Sequence, residues 1–187
     1  MAEIYLLMNK PAGYVCSAAS DSHKTVYELL PQELQDLVKN AKRGHRLHTI
    51  GRLDADTTGL LLLTTDGHFS HKVAATAIPK TYKATLKYEV SSNQQKQYKA
   101  DAAHGLVLPP EKKAPEQYAA PAQIKFISQN QIQITVTEGK FHEVRRIFRA
   151  LGNEVTELKR IAIGKLSLPD TLKPGEYTTF SPDQILF

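Results

Sequence analysis

The stretch Gly51-Arg52-Leu53-Asp54-Ala55-Asp56-Thr57-Thr58-Gly59-Leu60-Leu61-Leu62-Leu63-Thr64-Thr65-Asp66-Gly67 has two parts of opposite character. Gly51–Gly59 is a polar loop holding two acids and two hydroxyls between glycines. Leu60–Thr65 reads as a buried strand of high β-propensity, ended by the turn pair Asp66-Gly67. A polar loop feeding a buried strand puts ionisable groups at a strand end, where a site can form. The same residues also build an ordinary Asx- and Thr-stabilised turn, and the spacing leaves both readings open.

Working outward, Ile4–Met8 is a short buried strand, broken by the turn-forming Asn9-Lys10-Pro11-Ala12-Gly13. Thr25 caps a helical stretch carrying Val26, Leu29 and Leu30, and Pro31 opens a second one carrying Leu34, Leu37 and Val38. Helical residues around His68–Ala75 precede the alternating strand Thr81–Val90, and Gln94–Leu106 is helical. Leu108–Ala122, rich in proline and charge, reads as a loop or a joint between two lobes of about 1–107 and 108–187. Gln123–Ile127 and Gln131–Thr137 flank a polar turn as a hairpin. A helix over Lys140–Leu151 is closed by Gly152-Asn153, and strands follow at Val155–Ile163 and Tyr177–Phe180. Strands outnumber helices and several are hairpin-linked, so the expected class is α+β with a mixed, largely antiparallel sheet.

The chain has 187 residues, enough for one domain or one domain in two lobes. A single cysteine, Cys16, makes neither an internal disulfide nor a cysteine-based zinc site, and points to a reducing compartment. No apolar run approaches the ~20 residues of a membrane span, and Asn9 and Lys10 interrupt the N-terminal one too early for a signal peptide. Membrane, secreted and disulfide-framework classes are therefore not expected, and the chain reads as cytoplasmic. Lys and Arg outnumber Asp and Glu by 24 to 19, a net +5 that permits a polyanionic partner without requiring one.

The charge is unevenly placed. Lys39, Lys42, Arg43, His45, Arg46 and His48 form one basic stretch, either a solvated loop or a phosphate-tracking surface. At about 100° per residue, Val144, Ile147, Phe148 and Leu151 share one face of the Lys140–Leu151 helix. His142, Arg145, Arg146 and Arg149 share the opposite face, with only Glu143 nearby and off that stripe. Guanidiniums without balancing acids suit a phosphate backbone.

Asp54-x-Asp56-x-Thr58 also has the form of the nucleophile motif of haloacid dehalogenase-type phosphotransferases. There the motif follows an apolar strand in a parallel βαβ sheet. Here the apolar run comes after it and no βαβα pattern surrounds it, so that reading is set aside.

Taken together, the motifs resemble the RsuA-like branch of the RluA/RsuA pseudouridine synthase superfamily, of the small-subunit rRNA type. The resemblance lies in Gly51–Gly67, in the entry strand and Asn-Lys-Pro loop Tyr5–Ser17, and in Lys80-Thr81-Tyr82. Glu138–Arg146, Gly152-Asn153, Leu158–Gly164 and Leu172–Tyr177 follow in the family's order, so it covers nearly the whole chain. The sequence departs from the branch at Glu143, commonly Gln, and at Thr65, frequently Asn or Asp. It also begins at the catalytic strand, without the S4-type RNA-binding domain most members carry.

The resemblance implies a pseudouridine synthase fold in two lobes with a central active-site cleft, the whole of 1–187 being the catalytic domain. It implies isomerisation of uridine to pseudouridine in ribosomal RNA, 16S being favoured over 23S. A ribosome-assembly or RNA-binding module with little catalysis is the alternative from another class. Asp54 would be the catalytic aspartate, Tyr82 the aromatic that stacks on the target uracil and helps move its C5 proton, and Arg145 the basic partner of Asp54. Arg52, Lys80, His142, Arg146, Arg149, Lys42, Arg43 and Arg46 would contact RNA. The target base must be flipped from its stack at a cost of a few kcal/mol. Because the reaction is neither redox nor hydrolytic, no cofactor or metal is expected. The expected partner of this monomer is ribosomal RNA or an assembly intermediate.

Overall fold

The computed structural model describes residues 2–42, 44–112 and 114–185, and divides into two compact units, 1–77 with 160–187 and 78–159. The chain thus passes between units at 77–78 and 159–160, and the stretch expected as a joint lies inside the second unit.

The first unit opens with β1 (Tyr5–Lys10), β2 (Tyr14–Val15), β3 (Lys24–Thr25), α1 (Gln32–Lys39), β4 (His48–Ile50), β5 (Thr58–Thr64) and α2 (Gly67–Ala75). β5 pairs antiparallel with β1 from Tyr5↔Thr64 to Lys10↔Gly59, and with β4 from His48↔Thr64 to Ile50↔Leu62. Leu60–Leu63 are all fully buried. A strand covered on both faces needs this unalternating apolar run, which is why the motif reads so clearly.

β1 runs two residues further than expected. Asn9 and Lys10 stay in the ladder and are buried, because their polar groups find partners: Asn9 Nδ2 donates to the Leu172 carbonyl at 2.7 Å. The turn starts only at Pro11, which has no N–H for a ladder. Gly13, at φ +87°, then brings its N–H to the Ala55 carbonyl at 2.7 Å. The helical piece expected after Thr25 is a single 3-10 turn, Val26–Leu29, in which Glu28 accepts from the Thr25 N–H at 2.7 Å. Asp66 caps α2 by accepting from Phe69 N at 2.9 Å, and it also takes the Tyr5 hydroxyl at 2.7 Å.

The second unit contains β6 (Lys80–Leu86), α3 (Ser92–His104), β7 (Leu106–Leu108), β8 (Gln117–Ala119), β9 (Gln123–Phe126), β10 (Gln131–Val136), α4 (Glu143–Ala150) and the start of β11 (Val155–Ile163). β10 lies between β6 and β9, antiparallel to both. Ile132, Ile134 and Val136 of β10 bury against Val144, Ile147 and Phe148 of α4 in one apolar cluster. Leu108–Ala122 is not a plain loop, since β7 and β8 form a hairpin from Leu106↔Ala119 to Leu108↔Gln117. Gly105 allows it, because a Cβ there would stand 2.6 Å from the Ala119 carbonyl. α4 begins at Glu143 rather than Lys140, and it also packs on β7.

β11 returns the chain to the first unit, where β12 (Leu166–Ser167) pairs with it. β13 (Tyr177–Thr179) lies antiparallel to β1 from Leu6↔Thr179 to Met8↔Tyr177. β2 and β3 run parallel to each other in a small sheet of their own. The class is α+β with a mostly antiparallel sheet, as expected. Among the described residues, no helix is long and apolar enough to cross a membrane.

Candidate active site

In the first unit the Asp54 loop is fastened from below. Lys10 is 0% exposed, and its ammonium donates to the carbonyls of Pro11 at 3.1 Å, Ala55 at 3.2 Å and Thr57 at 2.8 Å. An ammonium has three donors, and all three are used. Burial draws the Lys10 pKa below its usual value, opposed in part by Cys16, Asp56 and Asp54.

On the other flank, Leu53 N donates to Cys16 Sγ at 3.4 Å and the thiol returns a bond to the Leu53 carbonyl at 3.5 Å. Burial pushes the Cys16 pKa up, so the thiol stays a neutral hydrogen-bonding group. Thr57 N closes the turn onto the Asp54 carbonyl at 3.1 Å. Both neighbours of Asp54 are thereby pinned, while Asp54 itself is half-buried and Arg52 and Asp56 are exposed. The result is a carboxylate held on a fixed backbone, which is what a positioned nucleophile or base requires.

Reading the sequence for candidate site residues missed Lys10 and Cys16. The Asn-Lys-Pro run and the single cysteine were the available signals, but neither shows where its side chain points. Lys42 and Arg46 are exposed on the loop before β4, and Arg43 lies outside the described residues.

In the second unit, Tyr82 sits on β6 opposite Ile134, half-buried, and packs against the apolar cluster. The Thr81 and Thr135 hydroxyls meet at 3.0 Å beside it, and Lys80 Nζ donates to the Ile78 carbonyl at 3.2 Å. Arg145 is half-buried and donates through Nη1 to the Val155 carbonyl at 3.0 Å.

The basic stripe breaks up in three dimensions. Arg146, expected on RNA, is 0% exposed. Its guanidinium donates to the carbonyls of Pro109 at 2.9 Å, Pro115 at 2.6 Å, Phe141 at 3.3 Å and Leu108 at 3.5 Å, and to Gln117 Oε1 at 3.1 Å. It ties the β7–β8 hairpin to the start of α4 and presents no donor to a phosphate. His142 is off the helix face altogether, being the residue before it in a left-handed conformation, φ 48° and ψ 33°.

Balancing acid is also present. Glu111 meets His142 Nδ1 at 2.9 Å and Arg149 Nη1 at 3.1 Å. Burial raises the Glu111 pKa, but these two neighbours outweigh it and hold the carboxyl below its usual range. Glu143, read as a charge beside the stripe, is only 6% exposed and accepts from Lys140 N at 3.2 Å. Burial pushes its pKa up, although the Lys140 N–H and the Lys140 and Lys80 ammoniums oppose this. Nearby Glu138 accepts from Ala120 N at 2.9 Å and pairs with Lys140, and both contacts keep its pKa low. Among the described residues, no group of three or more His, Cys, Asp or Glu side chains is arranged to hold a metal ion.

The fold is that of a mostly antiparallel α+β protein, and the chain belongs to the RNA pseudouridylate synthase family, whose model matches residues 4–150. It is 39% identical to the ribosomal small subunit pseudouridine synthase A of Yersinia pestis over 97% of this chain and 71% of that protein. The enzyme of the same name from Escherichia coli strain K12 is 38% identical over 97% of this chain and 72% of its own length. A crystal structure of a pseudouridylate synthase superposes with a TM-score of 0.83 at 36% identity, over 98% of this chain and 73% of that one.

Proposed function

We propose that the chain isomerises a specific uridine of small-subunit ribosomal RNA to pseudouridine. One observation carries the reading. The likeness to small-subunit enzymes runs through 97% of the chain and includes the loop whose aspartate Lys10 and Cys16 hold in place.

In this reading Asp54 is the catalytic carboxylate, attacking the ribose C1′ or the base C6, or taking a sugar proton. Tyr82 stacks on the uracil and its hydroxyl helps move the C5 proton, and Arg145 is the cationic partner of Asp54. Arg52, Lys80, Lys42, Arg46, His142 and Arg149 supply phosphate and sugar contacts, which offset the cost of unstacking the target base. The N1–C1′ bond breaks, the base turns and C5 bonds to C1′ instead, while the C5 proton leaves and N1 takes one up, so no electrons leave the substrate and no water is consumed. That balance calls for no cofactor. The enzyme acts as a monomer on free ribosomal RNA or an assembly intermediate.

The test is pseudouridine mapping in ribosomal RNA of cells lacking the gene, complemented with the parent or with Asp54→Asn. The expected result is one small-subunit site that the parent restores and Asp54→Asn does not. Restoration by Asp54→Asn removes Asp54 from its role, and loss of a large-subunit site instead reassigns the substrate.

A further inference from the structure

Among the described residues, Phe141 is one of five exposed large apolar side chains of the second unit, with Tyr88, Val107, Tyr118 and Ile127. It is 43% exposed, yet its surroundings are fixed from several sides. The ring stacks on the His142 imidazole with centroids 3.8 Å apart and planes 15° from parallel. The Phe141 carbonyl accepts from the buried Arg146 guanidinium at 3.3 Å. His142 is held in the left-handed region, which a residue with a Cβ disfavours, and Glu111 grips its ring at 2.9 Å while also holding Arg149 at 3.1 Å.

Strained backbone of this kind persists where the surroundings over-determine it, often at a ligand site. Here the strain, the buried guanidinium and the ion pair present one rigid aromatic face to solvent. Arg149, itself exposed, pairs with Glu111, and the exposed Lys112 follows Glu111 in the chain.

We propose that Phe141, backed by His142, is a stacking ledge for an unpaired base of the RNA, with Arg149 on the adjoining phosphate. The proposal rests on the reading of this chain as an RNA-modifying enzyme. Aromatic faces stack on any base, so the ledge gives affinity for single-stranded RNA rather than sequence choice. Its rigidity adds to that affinity, because no side chain needs ordering on binding.

The probes are a fluorescein-labelled single-stranded oligouridylate and an RNA duplex of the same length, titrated against the full chain. Phe141→Ala weakens single-strand binding roughly 5- to 100-fold, while duplex binding and its salt dependence stay with the parent. Phe141→Tyr keeps parent affinity. Phe141→Leu, which retains apolar bulk without a π-face, behaves like the alanine variant.

Unchanged single-strand affinity in Phe141→Ala overturns the ledge. Equal losses on both probes overturn it too, as does a parent protein that does not bind the single strand. Melting temperatures of all three variants, expected to match the parent because the ring is exposed, separate loss of stacking from loss of fold. A parent that binds the single strand but makes no pseudouridine refutes the proposed function while leaving the ledge standing.

Discussion

Replacing Arg146 with alanine should damage stability far more than RNA binding, although a helical wheel groups it with residues proposed to contact phosphate. Its guanidinium makes three bonds of 3.1 Å or less, to the Pro109 and Pro115 carbonyls and the Gln117 amide oxygen. Hydrogen bonds to charged groups contribute roughly 1.5–3 kcal/mol each, and buried acceptors left without donors lose their solvation as well. Taking the lower figure for each of the three, the loss is ~4–5 kcal/mol, a large part of the 5–15 kcal/mol typical of a folded domain. For a chain of this size that lowers Tm by roughly 10–15 °C. Urea denaturation and calorimetry measure both.

Arg146→Met, which refills volume without supplying donors, should recover little, and Arg146→Lys should fall between. Arg149→Ala, at a half-exposed ion pair, should cost under ~1 kcal/mol. A loss below ~1 kcal/mol in Arg146→Ala, or a normal Tm with weakened RNA binding, would refute the assignment of Arg146 to the fold.

Lys10→Met removes three donors from beneath the Asp54 loop. It should lower kcat much more than RNA affinity in a pseudouridine-release assay; an unchanged kcat would show that the loop holds its shape without the ammonium. Glu143→Gln tests the buried carboxyl. Its folded pKa is raised by burial, so ionising it costs stability as pH climbs from the ordinary carboxylate range through the raised value. The Gln variant should therefore match the parent at low pH and become the more stable of the two as pH rises, then keep a constant lead. A pH-independent difference in urea midpoints counts against the raised pKa. Tyr82→Phe should preserve stacking and RNA affinity while slowing the chemical step, and equal losses in both would contradict that division.

Local pattern and global packing contributed differently to what could be read. The Leu60–Leu63 run, the β9–β10 hairpin and the apolar face of α4 were legible because periodicity and turn residues act between neighbours in the chain. The order of the motifs carried the family. The β7–β8 hairpin was hidden because its proline-rich sequence has no strand pattern of its own; Arg146 and the close approach at Gly105 order it from outside.

The sequence by itself determined the α+β class, the identity of Asp54 as the candidate catalytic carboxylate and the family, since each depends on residue type and order. Only the tertiary structure decided which charges are available. A helical wheel assigns residues to faces but does not show what packs on each face. α4 is covered on two sides, which buries Arg146 and Glu143, and Glu111 arrives from more than thirty residues away to pair with His142 and Arg149. The same holds for Lys10, a charge that looks like a surface turn residue until three carbonyls close around it. Burial and pairing are properties of distant segments brought together, and a linear pattern contains no term for them.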